Sequence, residues 1–483
     1  MKNLKYKILL MPIEILSREL DSRLLISLKL LKKNHNWRII FGRTDLVGDY
    51  WRNKKSKNKF VYFSKGTIYS ISYYQKLLSK NGFYFLLDEE GSIFSRYVIN
   101  NWTRGGIDND LIKFMSKIFF WGQIEKKNYF NRHKFITEEK SEVLGNPRFD
   151  LSKKKYNKYY NLIYNHKKFY SEYIMIDTAF AVFNNIVDLD SQFDHWKKII
   201  YDKGRGEVSP DEWLNKTMPT YDFQSKLFPK FLEGILFLAK SLPNYNFLLR
   251  PHPIENIETY IKYFKNIKNI KISNTGPAVA KFINATLLIH NGCSTAVEAS
   301  LSEIPVVCYL PESSDDQVQE LPRDISYIVE NQSDLLDKVL EISNTKPDKK
   351  HFDNIKKIIK PHIDNIEYDS SDKIASTIDK YDLELKIKFE YDMTFKSQIQ
   401  KYLPEKWIDI LKIFYFKIFL KKDKTKTNHQ FNKRDNVKFS SLSYNEVDLR
   451  IKAFRKIDSQ IPNINLSKIN DDLFELSVNQ SNY

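Results

Sequence analysis

Leu287–Tyr309 reads LLIHNGCSTAVEASLSEIPVVCY, and this stretch decides the fold. An apolar run ends at His290 and a tight turn passes through Asn291 and Gly292. A helix opens at Ser294 or Thr295, and a second apolar run follows Pro305. This is a strand–helix–strand unit, the building block of a parallel sheet. A helix start of this kind offers exposed amides and the positive end of a dipole to a phosphate. Gly292 permits close backbone approach, Ser294 and Thr295 add hydroxyls, and Glu298, one turn in, lies on a face that reaches a ribose. The same residues also have a structural reading, with Ser294 or Thr295 as a helix cap and Glu298 as a first-turn partner of the dipole. The local pattern leaves both open.

Working outward, the alternation continues. Strands are expected at Tyr173–Ile176, Phe247–Arg250, Ile270–Ile272, Thr286–His290 and Val306–Tyr309, with helices over Gln224–Ser241, Ala278–Ile283 and Ser294–Leu301. Residues of about 184–222 break the pattern with Trp, Pro and Gly and read as an insertion. The first third alternates in the same way: strands at Lys7–Met11, Trp37–Phe41, Phe60–Phe63, Phe83–Leu87 and Ile118–Trp121, with helices over Ser17–Lys32 and from Gln123. The turn-rich segment LGNPRFD (Leu144–Asp150) closes this half. The expectation is an α/β protein of two Rossmann-like domains facing a cleft. The first covers residues 1–150, the second 165–380, and a basic, partly helical extension covers 381–483.

Two further motifs fall at predicted strand ends, where open parallel sheets bind ligands. Arg250-Pro251-His252-Pro253 follows the Phe247–Arg250 strand, and its His is suited to holding or protonating a departing phosphate. Leu87-Asp88-Glu89-Glu90-Gly91 sets three carboxylates side by side, and mutual repulsion suits one of them to general base work. The bland alternatives are a loop histidine and a solvated acidic loop. Arg18, Glu19 and Asp21, after the first strand, approach the same cleft as weaker candidates.

Composition bounds the rest. The 483 residues are 42% hydrophobic, enough for two full cores. The net charge of +17 reads first as a lysine-rich solvated surface and second as attraction to anionic lipid or substrate. Nucleic acid is not an expected partner, because no helix-turn-helix, zinc spacing or RNA-binding aromatic signature accompanies the charge. Cys293 and Cys308, the two cysteines, form no CxxC pair and fit a reducing compartment. No run approaches the roughly 20 apolar residues of a membrane span, so a cytoplasmic protein is expected, at most peripheral on the inner membrane face. Glu405–Lys422 (EKWIDILKIFYFKIFLKK) reads as an amphipathic helix that packs on the body or lies on a membrane surface, and Lys421–Asn436 as a linker.

Taken together, Glu89-Glu90-Gly91, His252-Pro253 and Ser294-Thr295 resemble, in order, the motifs of bacterial sialyltransferases with the GT-B fold. SRELDSRLL (Ser17–Leu25), LDEEG, GNPRFD, LRPHP, HNGCSTAVEA and KFSSLSYNEVDLRI (Lys438–Ile451) are similar to the wider bacterial surface carbohydrate biosynthesis group. The resemblance implies a metal-independent glycosyltransferase without a cofactor. Its donor would be a CMP-sugar, such as sialic acid, Kdo or a related nonulosonic acid, and its acceptor a polysaccharide or glycolipid. It implies Glu89 as the base, with Glu90 shaping its surroundings. It also implies His252 on the donor phosphate and leaving CMP, with Arg250 and Pro253 in the same loop. Ser294 and Thr295, beside Asn291 and Gly292, would hold the phosphate, and Glu298 the ribose. The acidic run leaves the register open, so Asp88 also qualifies. A polyol-phosphate transferase, a UDP-sugar epimerase and a non-catalytic scaffold of polysaccharide assembly remain alternatives.

Overall fold

The computed structural model describes residues 6–54, 56, 58–66, 71–79, 81–91, 93–101, 109–164, 171–194, 197, 209–312, 314, 316–345, 347–384, 435–436 and 438–479. The first sheet holds β1 (Lys7–Ile13), β2 (Trp37–Arg43), β3 (Phe60–Ser64), β4 (Gly82–Leu87), β5 (Met115–Phe120) and β6 (Ser141–Val143). The second holds β7 (Tyr173–Asp177), β8 (Phe247–Arg250), β9 (Ile270–Ile272), β10 (Ala285–His290), β11 (Val306–Tyr309) and β12 (Tyr327–Val329). Segments such as FVYFS and GFYFLL are apolar without alternation and buried along their whole length. That pattern belongs to parallel strands covered on both faces.

Strand order runs β2-β1-β3-β4-β5-β6 in the first sheet and β12-β11-β10-β7-β8-β9 in the second, and all of these pairs are parallel. Both are doubly wound Rossmann-type sheets. The order reverses between β1 and β3 and between β7 and β10, and ligand crevices open beyond the strand ends at such points. Two such sheets with a cleft between them make the GT-B fold.

The first sheet is completed from the other end of the chain. Residues Ile464–Asn470 (β13) and Leu473–Val478 (β14) form an antiparallel hairpin, and β14 pairs antiparallel with β2. The tail expected as a separate extension therefore ends inside the first domain. Its helix Tyr444–Ile457 packs Phe454 on Tyr159, with ring centroids 4.0 Å apart. The expected helix over 405–422 and most of the expected linker lie outside the described residues.

Two chain segments cross between the domains, and they are tied together. Asn365 Oδ1 accepts the Asn146 amide at 3.0 Å, while Asn365 Nδ2 donates to Asn146 O at 3.0 Å and to Asp150 Oδ1 at 2.7 Å. Gly145 sits at φ +77°, and a Cβ there would lie 2.1 Å from Asn365 Oδ1. Asp150 accepts the Ser370 and Ser371 amides at the start of the helix Ser370–Lys380, which packs back on the first-domain helix Leu16–Lys33 (Lys29–Asp372, 2.9 Å). Residues 361–380 thus follow the second sheet in sequence but rest on the first domain.

The stretch of 184–222 is only in part an interruption. Pro210–Ser241 is one helix of 32 residues that carries Pro219 and Pro229 inside it. Each proline removes an internal hydrogen bond. Burial of Leu227, Phe231, Leu232, Ile235 and Leu238 against the second sheet keeps the helix in place.

Candidate active site

The second-domain wall is built from the ends of β7, β8 and β10. His290, a predicted strand end with no site role assigned to it, organises the turn after β10. It is fully buried, and its Nδ1 accepts the Gly292 and Cys293 amides at 3.0 and 3.2 Å. The ring proton therefore sits on Nε2, 2.8 Å from Ser326 Oγ. Gly292 adopts φ +95°, which favours glycine. Asn291 Oδ1 accepts the Ala179 amide at 2.8 Å, bracketing the two loops at the switch point. Ser294 stands at the cap position but makes no side-chain capping bond, and it lines the cleft. Thr295 Oγ1 donates to Cys293 Sγ at 2.9 Å.

Burial pushes the His290 pKa down to about 3. The unfolded chain takes up this proton near pH 6.5 and the folded one only near 3, so the stabilisation is complete above 6.5 and is lost as pH falls through that window. Glu255 acts in the opposite sense, since burial raises its carboxyl to about 7. The clean measurement is therefore a difference. Urea unfolding at pH 7 and pH 4 should show wild type losing about 3 kcal/mol more than His290→Gln on acidification. Equal losses would count against the buried neutral imidazole.

The Arg250-Pro251-His252-Pro253 loop follows β8. Arg250 is buried, with Nη1 3.6 Å from Asp177 Oδ2 and Nη2 donating to Gly276 O at 3.4 Å. Burial raises the Asp177 carboxyl and the Arg250 charge opposes it. His252 and Pro253 are half-buried on the cleft wall. His252 Nδ1 accepts the Ile254 amide at 3.4 Å, which leaves the proton on Nε2. Burial first, then Arg250 and Arg18, push this imidazole down to about 3, so it is a neutral donor at pH 7. Glu255 anchors the loop, accepting from Thr178 Oγ1 and from the Phe180 amide, both at 2.7 Å, and from Tyr260.

On the first-domain wall the three consecutive carboxylates separate. Asp88 turns inward, accepting from Tyr129 Oη at 2.6 Å and from the Glu90 amide at 3.0 Å. Glu89 is buried, 3.0 Å from the equally buried Arg23, and accepts from Asn146 Nδ2 at 3.2 Å. Glu90 alone is exposed, on Arg18 at 3.1 Å. Arg18, its partner, lines the cleft with His252. The resemblance implied Glu89 as the base, but the geometry gives the solvent-facing position to Glu90.

The weaker candidates divide in the same way. Arg18 lines the cleft, and although burial opposes it, Glu90 and Glu19 raise its pKa. Glu19 is fully buried and accepts the Glu14 amide at 2.9 Å and the Ile15 amide at 3.3 Å, closing the turn after β1. Asp21 accepts from Tyr159 Oη at 2.6 Å and from Arg450 Nε at 2.9 Å. Glu14 bridges Lys65 at 2.7 Å and Lys438 at 2.8 Å, and against the opposing effect of burial these cations hold it down to about 2.

Several cleft residues escaped the sequence reading. Arg148 binds Glu298 with Nε to Oε1 at 2.8 Å and Nη2 to Oε2 at 2.7 Å. It lies in the GNPRFD segment, which closes the first half and shares in the resemblance but carried no assigned site role. Lys438 and Arg450 fall in the KFSSLSYNEVDLRI stretch, which carried no site assignment, because only tertiary pairing brings Lys438 to the cleft and Arg450 to Asp21 behind it. Among the described residues, no group of three or more His, Cys, Asp or Glu is placed to hold a metal ion. No described helix is long and apolar enough to cross a membrane.

No protein-family model matches the chain, and no curated protein matches it significantly. Solved structures similar to it include the UDP-GlcNAc 2-epimerase of Methanocaldococcus jannaschii in complex with UDP-GlcNAc and UDP. That likeness has 15% identity over 78% of this chain and 99% of the other, with a TM-score of 0.42. The wall teichoic acid polymerase TagF is 13% identical over 78% of this chain and 89% of the other, with a TM-score of 0.48. The Neisseria meningitidis UDP-GlcNAc 2-epimerase bound to UDP-GlcNAc is 13% identical over 78% and 100%, with a TM-score of 0.45. The two-domain fold stands on the strand orders above.

Proposed function

We propose that this chain is a metal-independent glycosyltransferase of surface carbohydrate synthesis that moves a nonulosonic acid from a CMP-activated donor to a polysaccharide or glycolipid. It works in the cytoplasm or on the inner membrane face. The supporting observation is that Arg18, paired with the exposed Glu90, lines the same cleft as His252, Arg250 and Glu298. The sequence resemblance supports CMP as the nucleotide. Glu90 takes the acceptor hydroxyl proton as that oxygen bonds to the anomeric carbon. The bond from that carbon to the phosphate oxygen breaks, and CMP departs with its charge met by the His252 Nε2–H, Arg250 and the Ser294 hydroxyl. Asp88 and Glu89 hold the acidic loop in shape and take no proton.

Calorimetric titration of CMP, CDP, UDP and GDP into wild type and His252→Ala tests the reading. The expected result is selective CMP binding, weakened about 10-fold or more without the imidazole. Preference for UDP or CDP would move the assignment to an epimerase or a polyol-phosphate transferase. Folded protein that binds none of the four would leave the scaffold reading.

A further inference from the structure

Arg148 occupies an unusual place. It belongs to the segment that crosses from the first domain to the second, yet its guanidinium grips a carboxylate on the first turn of the helix Thr295–Leu301. Both side chains line the cleft and both are largely buried, with 13% and 5% of their surfaces exposed. A bidentate fork fixes the plane of a carboxylate, and each oxygen keeps a second lone pair for another donor.

Arg148 is itself held through a chain of contacts. Asn146 Oδ1 accepts the Arg148 amide at 2.9 Å, Asn365 brackets Asn146 from the returning segment, and left-handed Gly145 lets that bracket close. The orientation of Glu298 is therefore set by the interdomain crossover, outside its own helix.

We propose that Arg148 is a positioning residue for ribose recognition, aiming the free lone pairs of Glu298 at the sugar hydroxyls of the bound nucleotide. The inference rests on the nucleotide-donor reading above. It adds that the ribose site is assembled from both domains and is complete only when the crossover is in place. Lysine at 148 keeps the charge but loses the fork, so it should not substitute.

The test is the ratio of dissociation constants for 2′,3′-dideoxycytidine monophosphate and CMP, with cytidine as a phosphate-free control. Wild type should prefer CMP by about 10-fold or more, as expected for hydroxyls bonded to a charged acceptor. In Arg148→Met, Arg148→Lys and Glu298→Gln the preference should fall to within about 3-fold, and cytidine binding should weaken in parallel. Thermal unfolding of each variant monitors the fold. A folded Arg148→Met that keeps the wild-type ratio overturns the inference while leaving the donor reading intact. Loss of CMP binding with unchanged cytidine binding also overturns it, because Arg148 would then be a phosphate ligand. Wild type that binds neither CMP nor cytidine overturns both readings.

Discussion

Glu90→Gln should cut transfer about 10²- to 10⁴-fold while leaving the unfolding midpoint nearly unchanged, whereas Glu89→Gln should do damage of another kind. Glu90 is 47% exposed and its pairing with Arg18 is a surface contact, worth about 1 kcal/mol or less to stability. Glu89 faces Arg23 with both side chains almost wholly buried, and the Arg23 guanidinium lies 4.3 Å from the Phe63 ring centroid. Neutralising Glu89 strands a buried cation, which costs about 3–5 kcal/mol. Urea unfolding and initial-rate assays on the two variants separate the roles. Two outcomes would overturn the proposed assignment of the base: Glu90→Gln at full turnover, or Glu89→Gln inactive at undiminished stability.

A comparable effect is expected in the C-terminal hairpin. Phe474→Ala should destabilise the protein by about 3–5 kcal/mol, the cost of a large cavity in a packed core. Phe474 lies in β14, is fully buried, and meets Phe41 with ring centroids 5.8 Å apart. If the tail were dispensable, as an extension would be, the loss in urea unfolding would stay below about 1 kcal/mol. The tail also delivers Arg450 to Asp21 and Lys438 to Glu14, so a frayed hairpin should weaken the cleft as well.

Local pattern carried much of the fold. The apolar runs at Phe60–Ser64, Gly82–Leu87 and Phe247–Arg250 identify parallel strands, because only strands covered on both faces lack alternation. The turn at Asn291-Gly292 and the loop at Arg250–Pro253 were legible for a related reason, since strand ends and tight turns leave marks within a few residues. Even the order of the carboxylates was plain. Their division of labour was not, because adjacent residues point to opposite sides of a loop and only their distant partners distinguish them. Asp88 meets Tyr129, Glu89 meets Arg23 and Asn146, and Glu90 meets Arg18.

Local sequence thus accounts for the two alternating halves, the strand ends and the residue types available there. It took the assembled fold to bring β14 to the edge of the first sheet beside β2, and to bring Arg148 onto Glu298 across 150 positions of chain. The physical reason is range. Helix periods, strand runs and turns are set by neighbours along the chain, whereas a buried ion pair or an added edge strand is selected by what the finished fold leaves uncovered and uncompensated.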